Sequence, residues 1–163
     1  RQMCIRDSPY SNGQIPIYYN RRKSGRGHQG FYKDITSDPL YPFGHGLSYT
    51  EFKYGTVTPS VTKVKRGDRL SVEVTVTNVG ARDGAETVHW FISDPYCSIT
   101  RPVKELKHFE KQLIRAGETK TFRFDIDLER DFGFVNEDGK RFLEAGEYHI
   151  LVQGQTVKIE LID

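Results

Sequence analysis

Apolar and polar residues alternate along most of the chain after residue 70, and this period of two constrains the fold more than any other feature. The run LSVEVTVT at residues 70–77 places a Leu and three Val at every second position. Successive side chains of a β-strand point to opposite faces, so such a run predicts a strand with one apolar face. The pattern recurs at residues 88–92, 121–128, 148–152 and 157–161. We therefore predict a series of short strands joined by turns, and no helix.

Strands with one apolar face need a second layer to cover it. Burial of apolar surface is worth about 25 cal/mol per Å², and a single open sheet would leave one face in water. We predict an all-β fold of about seven or eight strands, packed as two antiparallel sheets without parallel pairing. Leu106, Phe109 and Leu113 indicate one further strand, with a spacing that is typical of a β-bulge.

Trp90 is the best candidate for the centre of this core. It shares the predicted apolar face with Val88 and Ile92, and Phe122 and Phe124 lie on a neighbouring predicted strand. The alternative is an exposed platform that stacks on a sugar ring, since aromatic faces serve both purposes.

The residues before position 52 have a different character. GQIPIYYN at residues 13–20 alternates briefly and predicts an edge strand, because Pro16 cannot donate to a ladder. Residues 21–38 show no period and contain three glycines, which predicts a long loop. YPFGHGLSYTEF at residues 41–52 then crowds a Pro, two glycines and four aromatics together. This segment predicts a rigid junction between two unlike parts of the chain.

The charge balance argues against two classes of partner. The chain has 24 basic and 22 acidic residues, a net charge of +2, which is too little to attract nucleic acid or an anionic membrane. We expect the basic cluster of Arg21, Arg22, Lys23 and Arg26, near His28, to be a solvated loop or to dock onto an acidic neighbour. No apolar run reaches the roughly 18 residues that a membrane span requires.

Three motifs carry a family resemblance. GQIPIYYN, YPFGHGLSYTEF and TRPVKELKHFEK (residues 100–111) occur in this order, and together they resemble the C-terminal part of glycoside hydrolase family 3, the family of β-glucosidases and β-xylosidases. The resemblance implies a fibronectin type III-like, or immunoglobulin-like, β-sandwich at residues 48–163. It also implies a remnant of the preceding α/β sandwich domain at residues 9–47. Residues 1–8, RQMCIRDS, match nothing in the family and predict a non-native leader.

No catalytic residue is predicted in this chain. The resemblance implies that the nucleophilic Asp and the acid/base Glu of the family lie upstream of GQIPIYYN. Glu129, Asp131, Glu137 and Asp138 lie beside predicted turns, where we expect them to be solvated. The histidines and the cysteines Cys4 and Cys97 lack the spacing of a metal or redox site. We predict no metal, no cofactor and no disulfide, with Cys97 a small, partly buried residue.

Two groups of site residues are predicted. The first would dock the β-sandwich against the preceding domain, through aromatic packing in the junction and through hydrogen bonds and ion pairs in TRPVKEL: Pro42, Phe43, Tyr49, Phe52, Arg101, Lys104 and Glu105. Ordinary surface charges are an equal alternative for the last three. The second group would approach the rim of the active site of the complete enzyme, as the resemblance implies: Tyr18, Tyr19, Asn20 and Arg22.

The function expected is therefore that of a stabilising, non-catalytic part of a β-glucosidase-like enzyme. Its partners would be the upstream catalytic domains, with a β-linked oligosaccharide bound only through the longer protein. The resemblance implies a periplasmic or secreted parent, and a cytoplasmic location stays open. The alternatives are a stand-alone carbohydrate-binding or adhesion module, which requires aromatics exposed together on one surface, and a nucleic-acid-binding protein, which the charge balance disfavours.

Overall fold

The computed structural model describes residues 7–14, 17–22 and 38–163. Eleven strands run in chain order, with a 3₁₀ turn at Asn12–Gln14 before them and a π-helical turn at Leu128–Phe132 between β7 and β8. The strands are β1 (Phe52–Tyr54), β2 (Thr58–Pro59), β3 (Lys63–Lys65), β4 (Leu70–Asn78), β5 (Gly84–Ser93), β6 (Glu105–Ile114), β7 (Thr119–Ile126), β8 (Phe134–Val135), β9 (Arg141–Phe142), β10 (Gly146–Val152) and β11 (Gln155–Ile162).

The strands form two packed sheets and a small hairpin. In the smaller sheet β4 pairs with β1 and β2 along one edge and with β7 along the other. The larger sheet has the order β3-β11-β10-β5-β6, and β8 pairs with β9. The predicted closing hairpin is present, with its turn at Gln153 and Gly154, both of which have positive φ. The prediction of an all-β sandwich is confirmed.

One pairing differs from the sequence prediction. β3 runs parallel to β11, with Val64 opposite Leu161, although we predicted no parallel pairing. The periodic pattern could not reveal it, because β3 has three residues and buries only Val64.

The core lies between the two sheets and is aromatic at its centre. Trp90 is fully buried and its ring centroid lies 6.1 Å from that of Phe124. Phe122 is buried beside it on β7. The core prediction for Trp90 is confirmed, and the sugar-platform alternative is excluded. The indole Nε1 of Trp90 has no hydrogen-bond partner among the described residues.

The predicted bulge lies in β6, at the edge of the larger sheet. Trp90 pairs with His108 and Phe91 pairs with Leu106, so Lys107 is the extra residue. Phe109 and Leu113 point away from the core, and both are more than half exposed. A bulge bends an edge strand and hinders pairing with another chain.

Two local predictions are wrong. The predicted strand at residues 13–20 is not formed in its described part, because the side-chain oxygen of Gln14 accepts hydrogen bonds from the backbone N–H groups of Tyr10 and Ser11 and closes a turn instead. Ile15 and Pro16 lie outside the described residues, as do residues 23–37 of the long loop predicted at 21–38 and the cysteine at position 4. No described helix is long and apolar enough to cross a membrane.

Asp131 is the second error, since we expected it to be solvated. It is 2% exposed, because the π-helical turn folds its carboxylate inward. Its Oδ2 accepts from the backbone N–H of Asp127 at 2.9 Å, and Arg130 makes a bidentate ion pair with it at 2.8 Å.

Candidate docking surface

The outer face of the larger sheet carries an aromatic residue where alternation would place a polar one. Phe91 follows Trp90 on β5 and therefore points away from the core, yet it is only 9% exposed. It is covered by residues from the part of the chain that precedes the sandwich.

Two aromatic rings, those of Tyr19 and Phe43, form this cover. The rings of Tyr19 and Phe43 stack with their centroids 4.2 Å apart. Phe43 lies edge-on to Phe91 at 6.2 Å, and Tyr19 does so at 5.7 Å. These separations and angles are those of favourable aromatic pairs. We call Tyr19, Phe43, His89 and Phe91 the outer aromatic cluster.

His89 completes the cluster on the same face of β5. Its ring lies 6.1 Å from that of Phe43, and a Cβ at Gly44 would lie 3.6 Å from the imidazole. Gly44 has a φ of +83°, a conformation that a side chain would strain. Burial lowers the pKa of His89 below its usual value, and the charge of Glu86 opposes this effect only in part. The cluster therefore favours the neutral imidazole.

Lys104 contacts the outer aromatic cluster at the ring of Phe91. Its ammonium nitrogen lies 4.7 Å from the centroid of the Phe91 ring, within the range of a cation–π contact. The neighbouring backbone is also tied to the first part of the chain. The N–H of Val103 donates to the carbonyl of Arg21 at 2.7 Å, and Arg22 and Pro102 form an isolated bridge.

Arg101, in contrast, is directed into the sandwich. Its side chain is 5% exposed, and its Nη1 donates to the Asp94 carboxylate at 3.1 Å and to the carbonyl of Phe132 at 2.7 Å. Its Nη2 donates to Glu105 at 3.3 Å, and the guanidinium lies 5.5 Å from the Phe134 ring. Each of these groups belongs to the sandwich. The structure therefore makes Arg101 an internal anchor for the loop that carries Lys104.

Glu105 is shared between two cations. Its other oxygen accepts from Lys107 at 2.8 Å. Burial alone would raise the pKa of Glu105, but the hydrogen bonds and charges of Lys107 and Arg101 together hold this pKa below its usual value. The carboxylate therefore stays ionised at neutral pH.

The remaining predicted residues lie in several places. Pro42 and Tyr49 are exposed, and Tyr49 is 95% exposed. Phe52 is half-buried against Gly84 at the start of β5. From the predicted rim group, Tyr18, Asn20 and Arg22 are exposed, whereas Tyr19 joins the outer aromatic cluster.

The sequence prediction missed His89 and Phe91. The signal was present, because both occupy the polar positions of the β5 alternation, flanked by buried Val88, Trp90 and Ile92. It also missed Asn78, a fully buried residue whose amide group donates to the carbonyls of Arg82 and Ile114 and whose oxygen accepts from the Thr50 hydroxyl at 2.7 Å. The bond from Thr50 ties the last part of the junction to the end of β4.

One group of described side chains has the donor types of a metal site. Asp94, Cys97 and Glu144 place one ligand atom each within 4.8 Å of one another. Arg101 already provides a cationic partner for Asp94, and burial raises the pKa of the Cys97 thiol to about 11. A thiol that stays protonated is a poor metal ligand, because the thiolate is the form that binds metals. Cys97 is half-buried, as predicted.

Comparison with known proteins places these features in a family. Residues 86–156 match the fibronectin type III-like domain family. The chain is 38% identical over 160 residues to the periplasmic β-glucosidase of Salmonella typhimurium, covering 93% of this chain and 21% of that protein. It is 38% identical over 146 residues to a β-xylosidase of Formosa agariphila, covering 88% of this chain and 20% of that protein.

Solved structures agree with the sequence relatives. A β-glucosidase from Erythrobacter marinus superposes with a TM-score of 0.88 at 38% identity, over 96% of this chain and 21% of that chain. The β-glucosidase from Listeria innocua in complex with gluconolactone gives a TM-score of 0.88 at 36% identity, over 96% and 23%. The chain thus spans about a fifth of the length of the relatives it matches. It is a relative of the C-terminal part of glycoside hydrolase family 3 enzymes, including their fibronectin type III-like domain.

Proposed function

We propose that this chain is a non-catalytic, stabilising part of a β-glucosidase-like glycoside hydrolase. The sandwich, which we place at residues 48–163, would dock against the α/β domain whose remnant we place at residues 9–47. The observation that carries the proposal is the burial of Phe91 on the outside of the sheet, under Tyr19 and Phe43. An outward aromatic residue that the preceding segment covers is what a fixed domain contact requires.

The docking role divides among the predicted residues. Phe43 of the remnant and Lys104 of the sandwich would make the contact directly, since each lies against Phe91. Phe52 would hold the junction at Gly84. Arg101 and Glu105 would act indirectly, by positioning the loop that carries Lys104. Pro42 and Tyr49 are exposed and would contact parts of the longer enzyme beyond this chain.

The rim role is proposed for the exposed residues Tyr18, Asn20 and Arg22. Tyr19 would support them from the outer aromatic cluster. A β-linked oligosaccharide would reach them only in the complete enzyme, together with a catalytic Asp and Glu supplied by the upstream domains. The Salmonella relative is named a periplasmic enzyme, which supports a periplasmic or secreted location for the longer protein.

The leader at residues 1–8 stays a prediction. Against it stand two contacts of its last residues, since the Asp7 carboxylate accepts from the N–H of Phe43 at 2.6 Å and Ser8 pairs with Tyr41. Sequencing the reading frame upstream of residue 9 in the source genome tests the leader directly. A native in-frame sequence there that reads RQMCIRDS would contradict it.

The catalytic part of the proposal is tested with the purified chain and an aryl β-glucoside. We expect no release of the aryl group above the buffer blank, because the proposal assigns both carboxyl groups of a retaining glycosidase, the nucleophilic Asp and the acid/base Glu, to the upstream domains. Clear turnover would refute the proposal.

Titration with β-glucan and xylan tests the rival binding module, which predicts saturable binding by the isolated chain.

The stabilising part is tested in a chimaera in which this chain replaces the matching fifth of the Salmonella β-glucosidase. The chimaera should melt at a higher temperature than the same enzyme without that fifth. Activity per folded molecule should change less than the melting temperature does. Equal melting temperatures would refute the docking role.

A further inference from the structure

We infer that Arg101 is a positioning residue for the active-site rim of the longer enzyme. It holds residues 17–22, which we call the rim segment, where their exposed side chains contact a β-linked oligosaccharide. This role rests on the proposed rim role of Tyr18, Asn20 and Arg22. It gives the sandwich a part in substrate binding as well as in stability.

The rim segment has a packed side and an exposed side. Its residues 17, 19 and 21 are half-buried, whereas residues 18, 20 and 22 are exposed. On the packed side the ring of Tyr19 lies edge-on to Phe91 of the sandwich, with the ring centroids 5.7 Å apart. The exposed side carries the three side chains of the proposed rim role, so a sugar can reach them without disturbing the contact with the sandwich.

A second contact joins the rim segment to the sandwich through the backbone. The N–H of Val103 donates to the carbonyl of Arg21 at 2.7 Å, and Arg22 pairs with Pro102 in an antiparallel bridge. Residues 101–104, which we call the bridging loop, therefore lie directly beside the end of the rim segment. The bridge fixes the backbone of Arg22 while its side chain stays exposed.

Arg101 fixes the bridging loop within the sandwich. The loop lies between β5 and β6, outside both strands. The buried guanidinium of Arg101 donates to the Asp94 carboxylate at 3.1 Å and to the carbonyl of Phe132 at 2.7 Å. Asp94 follows β5 and Phe132 ends the π-helical turn, so these bonds tie the loop to two other segments of the sandwich. Because Pro102 is the next residue, the place of the bridge depends on this anchor.

Loss of the anchor should affect substrate binding in a specific way. Met at position 101 offers no donor, so the bridging loop would no longer be held to Asp94 and Phe132. The bond between Val103 and Arg21 would weaken, and the substrate would then have to order the rim segment when it binds, which costs affinity. A contact made equally in the ground state and the transition state changes KM and leaves kcat unchanged when it is lost.

Steady-state kinetics of the chimaera described above test this role, with the β-linked disaccharide laminaribiose as the substrate. Arg101→Met should raise KM by about tenfold, while kcat per folded molecule should change by less than about twofold. Ile159→Ala is the matched control for lost stability. Ile159 is fully buried on β11, which β10 separates from β5.

Ile159→Ala should lower the melting temperature of the chimaera but leave KM within about twofold of the unmodified chimaera. The same KM in the Arg101→Met and Ile159→Ala chimaeras would overturn the positioning role, because the effect would then follow stability or be absent.

Val103→Pro tests the same role without touching the buried anchor. It removes the N–H group that donates to Arg21, and it leaves the bonds of Arg101 in place. KM should rise as in Arg101→Met, again with little change in kcat. An unchanged KM in the Val103→Pro chimaera would overturn the positioning role, even if Arg101→Met fails to fold.

Tyr18→Ala and Arg22→Ala separate positioning by Arg101 from the rim role itself. If either raises KM and neither Arg101→Met nor Val103→Pro does, the rim role stands and the positioning role is wrong. If neither Tyr18→Ala nor Arg22→Ala raises KM, the rim role has failed, and the positioning role fails with it.

Discussion

Tyr19 and Phe43 stack with ring centroids 4.2 Å apart, although a long stretch of chain separates them. Both rings then meet Phe91 edge-on. Two separate pieces of the first part of the chain are thereby held on one aromatic residue of β5. Phe91 is apolar at an outward position of β5, where a polar residue is expected. The contact at this residue fixes the first part of the chain against the sandwich.

The first prediction concerns this contact. Phe91→Ala should lower the free energy of unfolding by about 3 kcal/mol, because it removes a buried ring and leaves a space under Tyr19 and Phe43. Chemical denaturation followed by fluorescence measures the change. Tyr49→Ala is the matched control in the junction and should change stability by less than about 0.5 kcal/mol, since that ring is exposed. Equal effects of the two substitutions would contradict the role of the cluster.

Arg101 gives a second prediction. Arg101→Met should cost about 3 kcal/mol, because it leaves the buried Asp94 carboxylate and the Phe132 carbonyl without their donor. Arg101→Lys should not restore full stability, since an ammonium cannot reproduce the planar set of donors. The exposed Arg123, changed to Met, is the control and should have little effect. Full stability of Arg101→Lys would show that a positive charge at this position is enough to stabilise the buried Asp94 carboxylate.

The third prediction is a pH dependence of stability. Burial lowers the folded-state pKa of His89, so the unfolded chain takes up a proton at higher pH than the folded chain does. This contribution to stability is fully present above the unfolded-state pKa of about 6.5, and it is lost as the pH falls from there through the folded-state pKa.

Urea denaturation between about pH 7.5 and pH 5 checks this expectation. His89→Asn should make the free energy of unfolding less dependent on pH over that range. His45→Asn, at an exposed position of the junction, should leave the slope as it is. An unchanged slope in His89→Asn would assign the dependence to other groups.

Trp90 provides a fourth prediction. Its buried Nε1 has no described hydrogen-bond partner, so part of the gain from burying the ring is offset by an unsatisfied donor. Trp90→Phe removes that donor and should cost about 1 kcal/mol, whereas Trp90→Ala should cost about 3–5 kcal/mol. Thermal and urea unfolding of both variants gives the comparison. Similar costs for the two would mean that the indole nitrogen carries no penalty.

The strands were predictable because successive side chains of a strand point to opposite faces. The apolar residues in the sequence therefore mark the buried face. In β4 the buried and the partly exposed positions alternate along almost the whole strand, which is what the run LSVEVTVT indicated. The bulge in β6 was also visible, as a change in the spacing of apolar residues. These features depend on the succession of neighbouring residues along the chain, which the sequence shows directly.

Contacts between distant segments were harder to predict. The parallel pairing of β3 with β11 depends on the partner strand. β3 has three residues and buries only Val64, so its sequence contains no pattern that indicates the pairing. Asp131 is buried by a turn whose geometry follows from its bonds to Asp127 and Arg130. The outer aromatic cluster had a local signal in Phe91, but only the three-dimensional structure identifies Tyr19 and Phe43 as its cover.

The placement of β3 has a consequence for folding during synthesis. Among the described strands β3 pairs with β11 alone, so Lys63–Lys65 waits for a partner at the far end of the chain. A nascent chain on the ribosome can form the β4–β7 and β5–β6 ladders first. The sandwich then gains the β3–β11 ladder only after Ile162 has left the exit tunnel, long after Lys65 has done so.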